Sequence, residues 1–224
     1  IGKKYNIPVI EDAAEILGGK YDEKYLGTLA DIGIYSLDFA KTITAGEGGI
    51  IVTNNSIYSK FIKEYVDHGH ENNPKFSRGL DTVSIPGFNA RMTEMQGALG
   101  KVQLKKLDYI VEENRIRYNI LYTELNDKLK IRHIFDENID TLYDTFMFEI
   151  DDKELMSKLV KFLAKNIGIK NMPTAINWHC TSYWGHIIND SEIKYTTKSH
   201  NTLLKYIAIP ILLKRTPEDY LFIA

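Results

Sequence analysis

Three side chains in the first fifth of the chain, Asp12, Ser36 and Lys41, are of types that could do chemistry together. Asp12 ends the apolar run "IPVIED", and Ser36 lies in the apolar run "DIGIYSLD", which Lys41 and a glycine cluster follow. Short apolar runs of this kind are typical of buried strands. Because open α/β sheets bind ligands at the carboxyl ends of their strands, the pattern predicts a ligand-binding edge that carries an acid, a hydroxyl and an amine.

Taken singly, each of these residues has an ordinary structural explanation. An acid at a strand end often caps the next helix, most lysines are solvated, and glycine pairs mainly mark turns. The combination is more informative, because it supplies what pyridoxal phosphate requires of a protein. An amine bonds covalently to the cofactor aldehyde, an acid pairs with the protonated ring nitrogen, and a hydroxyl holds the phosphate. The sequence therefore favours a pyridoxal phosphate site with Lys41 as the reactive amine.

The composition excludes several other classes of protein. The 224 residues are 44% hydrophobic and 26% charged, which is typical of a globular protein with a real core. A formal net charge of -2 gives no reason to expect nucleic acid or an anionic membrane as a partner. No apolar run approaches the roughly 18 residues of a membrane span. With Cys180 as the single cysteine, no internal disulfide can form, and a cytoplasmic location is expected.

The predicted elements that position the candidate residues alternate between strands and helices. A third strand is predicted at "GGIIVTN", and a helix is predicted over Ser56 to Asp67 with Ser56 as its N-cap. The stretch from His68 to Asn89 is polar and rich in glycine, proline and asparagine. A structureless stretch of this length is uncommon inside a compact domain and is often functional.

The second half is predicted to be a long helix followed by a small α+β domain. The helix should run from Thr93 to Asn126, about 50 Å, with "TEMQ" as its capping box. Four further elements follow from the patterns: a strand at "TFMFEID", a helix at "KELMSKLVKFLAKNIG", a strand after "LLKY", and a last helix with Thr216 as N-cap and Pro217 at its first position. The predicted domains are residues 1–105 and 106–224. Because both ends fall inside helical patterns, we expect the chain to be a fragment.

Two long stretches resemble one known family. "IPVIEDAAEILGGKYDEKYLGTLADIGIYSLDFAKTITAGEGGIIVTNN" and "GFNARMTEMQGALGKVQLKKLD" are similar to the two signatures of the DegT/DnrJ/EryC1/StrS sugar aminotransferases, in the same order. The resemblance is strong from Ile1 to about Asp108 and extends over the rest in outline. It implies an α/β protein of fold type I among the pyridoxal phosphate enzymes: an incomplete large domain with a mixed sheet, a long linking helix and a small α+β C-terminal domain.

The resemblance also implies a role for each residue of the first signature. Lys41 bonds to the cofactor and then moves the proton between substrate and cofactor. Asp12 pairs with the pyridine nitrogen, Ala14 packs against the ring face, and Ser36 holds the phosphate. Glu15 stands where many members have glutamine or histidine near the ring hydroxyl, so its role is open. The same resemblance places a phosphate-binding helix N-terminus and a ring-covering aromatic residue before "VIED".

The later segments contribute the expected partner and substrate contacts. Asn89, with Arg91 nearby, is expected to reach across a homodimer interface into the partner's cofactor site. The candidates for substrate contact are Arg91, His68, Trp178 and His179. The resemblance implies L-glutamate as amino donor and, as acceptor, either a nucleotide-linked ketosugar or an 8-oxo-3-deoxyoctulosonate, for cell-surface polysaccharide or lipopolysaccharide.

Several alternatives remain open on the sequence. A related branch of the family uses this fold for dehydration, but it replaces the reactive lysine with histidine, which disfavours that reading here. A non-catalytic relative is disfavoured because Asp12, Ser36 and Lys41 are present together. The chain could also be an inert fragment that does not hold the cofactor. Lys75 and Arg78 could meet an anion or be solvated. No metal site is expected, because Cys180 has no second cysteine beside it.

Overall fold

The computed structural model describes residues 1–77, 79–132, 136–170 and 180–224, and it divides into two compact units. Unit 1 comprises Ile1–Asp108 and Glu137–Thr141, and unit 2 comprises Tyr109–Asp136 and Leu142–Ala224. In chain order the helices and strands are α1 (Gly2–Tyr5), β1 (Ile10–Asp12), β2 (Lys20–Tyr21), β3 (Lys24–Tyr25), β4 (Ile32–Ser36), β5 (Gly49–Val52), α2 (Ser56–Tyr65), α3 (Glu94–Leu104), α4 (Leu107–Leu125), β6 (Lys130–Ile131), β7 (Ile139–Asp140), β8 (Thr145–Glu149), α5 (Lys153–Asn166), α6 (Asp190–Ile193), α7 (Thr197–Leu203), β9 (Tyr206–Pro210) and α8 (Pro217–Ile223).

The sheet that carries the candidate residues has the strand order β1-β4-β5. β1 is parallel to β4, with Asp12 opposite Ile34, and β4 is antiparallel to β5. The three strands were predicted from the apolar runs and the mixed sheet from the family resemblance, and both predictions are confirmed. Because the parallel strands run in register, the ends of β1 and β4 lie at the same edge of the sheet.

A half-buried carboxylate that the sequence analysis did not single out fastens β1 to the loop before β4. Glu11 accepts backbone hydrogen bonds from Gly27 (2.5 Å), Leu29 (3.0 Å) and Ala30 (3.3 Å). Tyr35 donates its hydroxyl to the carbonyl of Leu26 at 2.8 Å. Burial, and then the charge of Glu11, raise the pKa of Tyr35. This keeps the phenol protonated and able to donate.

The close approach of the same loop to β4 makes one glycine sensitive to substitution. A Cβ at Gly33 would lie 1.7 Å from the carbonyl oxygen of Gly27, so the backbone would have to shift. We expect Gly33→Ala to lower the free energy of unfolding by about 1–3 kcal/mol, measured by urea denaturation. Gly97→Ala is the matched control, because its Cβ meets no atom within 4 Å on helix α3. This control should gain about 0.5–1 kcal/mol; an equal loss in both variants would contradict the steric argument.

The helix caps of unit 1 confirm one prediction and correct another. Thr93 and Gln96 form the predicted capping box of α3, with both reciprocal hydrogen bonds present. Helix α2, however, is capped by Asn55 rather than by Ser56. The Asn55 side chain accepts hydrogen bonds from the backbone of Ile57 (2.9 Å) and Tyr58 (3.3 Å). Asparagine and serine are about equally good N-caps. The sequence alone therefore could not decide which of the two adjacent residues caps the helix.

The predicted single helix from Thr93 to Asn126 is wrong, because the structure breaks it into α3 and α4. The break falls at Lys105 and Lys106, where Lys106 N–H bonds to the carbonyl of Gln103 instead of continuing the α-helical pattern. Neither residue is a proline or a glycine, so the sequence carries no breaking signal there. The turn takes the chain from the exposed Leu104 to the buried Leu107.

Unit 2 contains the antiparallel sheet β6-β8-β9, accompanied by helices that include α5 and α8. Its core holds Tyr118 and Leu121 of α4, Phe146 of β8, Ile209 of β9 and Tyr220 of α8, all almost fully buried. The predicted α+β character is confirmed, as are the strand at "TFMFEID" and the capping of α8 by Thr216. Tyr118 serves the core, and its burial raises its pKa to about 12.

Candidate active site

The amine of Lys41 lies just beyond the end of β4, in a turn built on Asp38. The Asp38 carboxylate accepts a hydrogen bond from Ala40 N–H (2.9 Å), and its carbonyl accepts one from Lys41 N–H (3.1 Å). The Lys41 side chain is only 19% exposed, and its Nζ forms an ion pair with the carboxylate of Glu15. The structure therefore holds this amine at the sheet edge rather than in open solvent.

The acids at the end of β1 reach the same edge. Ala13 N–H bonds to the carbonyl of Ile34 at 2.9 Å, which continues the parallel pairing one residue past Asp12. The Asp12 carboxylate accepts a hydrogen bond from Ala14 N–H at 3.1 Å through one oxygen. Glu15 follows in the chain and pairs with Lys41. The register of β1 with β4 and the Glu15–Lys41 ion pair therefore bring Asp12, Ala14 and Glu15 to the edge where β4 ends.

The predicted phosphate-binding hydroxyl is the last residue of β4. Ser36 Oγ accepts a hydrogen bond from Asp38 N–H at 3.2 Å. A serine hydroxyl carries one donor beside its acceptor lone pairs, so accepting this bond leaves the proton for a ligand. Gly46, at φ 85°, adds open space nearby in the loop, since an added Cβ there would meet no atom within 4 Å.

The two signature stretches contact each other across this glycine loop. Gln96 Nε2 donates to the carbonyl of Glu47 at 2.9 Å. A Cβ at Gly48, whose φ is 140°, would lie 2.9 Å from Cε of Met92. A Cβ added at Gly100 of α3 would lie 3.4 Å from Cδ1 of Leu37, so the helix backbone passes close to this side chain. These contacts were not predicted, because nothing local in either stretch marks its partner.

Three other candidate residues form a separate cluster around Asp67. Arg91 donates from its guanidinium to Asp67 (2.6 Å) and to Asn89 Oδ1 (3.2 Å), and Asp67 pairs with Asn89 in an isolated antiparallel bridge. The backbone of His68 bonds to Phe88 at 3.0 Å, and its side chain is exposed. Asn89, Arg91 and His68 therefore lie together, but their contacts are with Asp67 and Phe88 rather than with Lys41.

The polar stretch from His68 to Asn89 has no helix or regular strand among its described residues, but buried acids organise it. Asp81 contacts His70 Nδ1 (2.9 Å) and accepts from Asn72 N–H (2.8 Å). Glu64 of α2, almost fully buried, accepts from Ser84 Oγ at 2.7 Å. The sequence did not indicate these acids, since each partner lies at least nine residues away.

The Asp81 contacts predict a pH dependence of stability. Burial alone would raise the pKa of Asp81, but the hydrogen bonds from His70 and Asn72 outweigh it and hold the pKa below the ordinary 3.8. Because the folded state favours the ionised form, the stabilisation is present above this value and is lost as the pH falls through the lowered pKa. Asp81→Asn should therefore be less stable than wild type at pH 7, and the difference should be smaller at about pH 2, by urea denaturation.

Asp22→Asn, in an exposed turn, is the control for this prediction. Its effect on the free energy of unfolding should be small at both pH values. An Asp81→Asn deficit that keeps its size between pH 7 and pH 2 would contradict the assignment.

Some sequence predictions fall outside the described residues. Trp178 and His179 are among these, as is Arg78. Cys180, which is described, contacts Ser182 (3.0 Å) and His200 (3.4 Å). Within residues 1–77, 79–132, 136–170 and 180–224, no group of three or more His, Cys, Asp or Glu is placed to hold a metal ion. In the same ranges, no helix has the length and apolar character needed to cross a membrane.

Solved structures that match the chain identify its fold. The chain matches Helicobacter pylori PseC, an aminotransferase involved in the biosynthesis of pseudoaminic acid, with a TM-score of 0.80 and 23% identity over 99% of this chain and 59% of that one. Spr1654 of Streptococcus pneumoniae, named a putative sugar aminotransferase, matches with a TM-score of 0.78 and 20% identity over 99% of this chain and 58% of that one. The fold is thus that of the fold type I aminotransferases.

The sequence comparison then gives the family. The sequence profile of the DegT/DnrJ/EryC1/StrS aminotransferase family matches residues 1–221, and the chain belongs to this family. A Campylobacter jejuni UDP-4-amino-4,6-dideoxy-N-acetyl-beta-L-altrosamine transaminase is 40% identical over 113 residues, which is 50% of this chain and 29% of that protein. A GDP-perosamine synthase of Caulobacter vibrioides is 28% identical over 207 residues, 85% of this chain and 51% of that protein. The chain therefore spans about half of the length of one relative and less than a third of the other.

Proposed function

We propose that the full-length protein is a pyridoxal phosphate-dependent aminotransferase that moves an amino group from L-glutamate to a ketosugar. The observation that carries the proposal is the placement of Lys41: a mostly buried amine, held by Glu15, at the edge where β1 ends in Asp12 and β4 ends in Ser36. An amine, a carboxylate and a hydroxyl at one strand edge are the groups that fit this cofactor.

The cofactor, when bound, supplies an aldehyde that carries the amino group between substrates and a ring that withdraws electrons. Each residue of the edge then has a definite task. Lys41 anchors the aldehyde end through Nζ and moves the substrate proton. Asp12 holds the proton at the ring nitrogen, and its contact with Ala14 N–H fixes the carboxylate for that purpose. Ser36 donates a hydrogen bond from its hydroxyl to the phosphate.

Glu15 keeps the Lys41 ammonium in place before the cofactor is bound, because the two side chains form an ion pair in this structure. The Glu15 carboxylate is largely exposed, at 79%, so it can swing away when Lys41 reacts. The ion pair supports this role for Glu15, which the resemblance left open.

The acceptor class is inferred from the relatives. The Campylobacter jejuni transaminase and the Caulobacter vibrioides GDP-perosamine synthase are both named for amino sugars carried on a nucleotide. A further relative, 30% identical over 187 residues, is the lipopolysaccharide biosynthesis protein RfbH of Salmonella typhimurium. A nucleotide-linked ketosugar for cell-surface polysaccharide is accordingly our first choice of acceptor, and an 8-oxo-3-deoxyoctulosonate our second. We further propose a cytoplasmic homodimer in which Asn89 contributes to the partner's site.

Two other functions, regulation and dehydration, occur among the proteins that the chain resembles. A relative 34% identical over 126 residues is the pleiotropic regulatory protein of Geobacillus stearothermophilus, which favours a regulatory role as the second candidate. A further fold neighbour, with 22% identity, is an Escherichia coli GDP-4-keto-6-deoxy-D-mannose-3-dehydratase. Lys41 argues against dehydration, because that branch is expected to carry histidine at this position.

The experiment that tests the proposal is cofactor capture. The full-length protein and the 224-residue chain are each mixed with pyridoxal phosphate, reduced with borohydride and digested for peptide mass spectrometry. We expect a new visible absorption band before reduction and the cofactor mass on the Lys41 peptide afterwards. Capture without turnover of glutamate would favour the regulatory candidate. The absence of capture by the full-length protein would overturn the proposal.

A further inference from the structure

The side chains of Asp67, Arg91 and Asn89 form a chain of hydrogen bonds, here called the relay, which ends on the exposed Asn89. Asp67 is 11% exposed in its side chain and accepts from the Arg91 guanidinium at 2.6 Å. Arg91, at 35% exposed, uses Nε to reach Asn89 Oδ1 at 3.2 Å. Asn89 itself is exposed. The buried acid therefore holds the arginine, and the arginine in turn holds the amide.

The direction of the Asn89 amide follows from these contacts. Two donors of Arg91 point at the same amide atom: Nε at 3.2 Å and the backbone N–H at 3.4 Å. Only the carbonyl oxygen of an amide can accept from them, because the NH₂ group is a donor. The NH₂ group of Asn89 is therefore turned away from Arg91, where it can donate to an external acceptor.

The backbone around Asn89 is held just as firmly as its side chain. Phe88 N–H bonds to the carbonyl of Tyr65 (2.8 Å), and Ala90 N–H bonds to that of Val66 (3.0 Å). These two bonds flank Asn89 and tie it to the end of helix α2. The amide therefore has a fixed backbone beneath it, and only its rotation about the side-chain bonds is left for Arg91 to set.

From this geometry we infer that Asp67 is a positioning residue that acts through Arg91 to aim the Asn89 NH₂ group at an anionic acceptor. The inference rests on the proposed function for the identity of that acceptor, a phosphate oxygen of bound pyridoxal phosphate. Asp67 does not itself touch the ligand. Its effect on binding should therefore exist only while Asn89 is present.

A double-mutant cycle in the full-length protein tests this dependence. The affinity for pyridoxal phosphate is titrated in wild type, Asp67→Ala, Asn89→Ala and the double variant. We expect each single variant to weaken binding about tenfold or more, as for a lost hydrogen bond to a charged group. The double variant should bind no more weakly than Asn89→Ala. Equal losses from Asp67→Ala in both backgrounds, or no loss in either, would overturn the inference.

Two further variants separate positioning from general effects. Glu94→Ala removes an exposed carboxylate close to Arg91 in the chain and controls for the change in charge; it should bind normally. Asp67→Leu fills the site but cannot accept a hydrogen bond from Arg91, and it serves in the same cycle if Asp67→Ala does not fold. At saturating cofactor, kcat should return towards wild type in Asp67→Ala, because the deficit lies in binding. A kcat that stays low would count against a positioning role.

A readout without cofactor keeps the inference distinct from the proposed function. In ¹⁵N-labelled protein, the Arg91 Nε–H signal should be protected from exchange in wild type and lose that protection in Asp67→Ala. If wild type fails to bind pyridoxal phosphate but shows this protection, the proposed function fails and the relay stands with another anion as its ligand. If wild type binds the cofactor but Arg91 Nε–H exchanges freely in both proteins, the relay is wrong.

Discussion

Replacing Lys41 with alanine should reduce transamination by the full-length protein by about 10⁴-fold or more, because it removes both the anchoring amine and the group that moves the proton. Folding should be nearly intact. The ion pair with Glu15 has one largely exposed partner, and such pairs contribute about 1 kcal/mol or less to the free energy of unfolding. The measurements are the steady-state rate with L-glutamate as donor and urea denaturation of the same preparation.

The matched control for this loss is Lys60→Ala, which removes another lysine that is ion-paired within unit 1, with Glu64. It should keep the wild-type rate, because Lys60 lies on helix α2 and has no task at the sheet edge. A Lys41→Ala variant that retained near-wild-type activity would show that the reactive amine is a different residue. Loss of the folded state in Lys41→Ala would instead assign this lysine a structural role.

The second large effect is expected from Asp12→Asn, which should lower kcat/KM by about 10²–10⁴-fold. An amide has the same shape and can still accept from Ala14 N–H, so the local turn should survive. It lacks the negative charge that holds a proton at the ring nitrogen, so the ring withdraws electrons less strongly. The expected signature is therefore a protein that captures the cofactor on Lys41 but turns over slowly.

Asp22→Asn serves again as the control, since it makes the same chemical change in an exposed turn of unit 1. Its kcat/KM should match that of wild type. If Asp12→Asn also matched wild type, the partner of the ring nitrogen would have to be another residue. If the variant failed to capture the cofactor at all, Asp12 would be required for binding rather than for the chemical step.

Much of the fold was predictable because its signals are local. The apolar runs around Ile34 and Ile51, and those in unit 2, specify strands by their own composition, and the boxes that begin at Thr93 and Thr216 cap helices through residues three positions apart. Where two local signals were equally good, as at Asn55 and Ser56, the sequence did not decide between them. The break at Lys105 and Lys106 carries no local signal at all.

The candidate site likewise has some features that the local sequence indicates and others that depend on tertiary contacts. By itself, the sequence determined that Asp12 and Ser36 lie in strand-like runs and that Lys41 follows one, and hence that they belong at a sheet edge. Only the tertiary structure decided that Glu15 meets Lys41, that Glu11 fastens the Gly27 loop, and that Asp67 holds Arg91. These pairs are separated by 16 to 26 residues. Contacts over such distances depend on how strands and loops pack, and no spacing or composition in the chain encodes them directly.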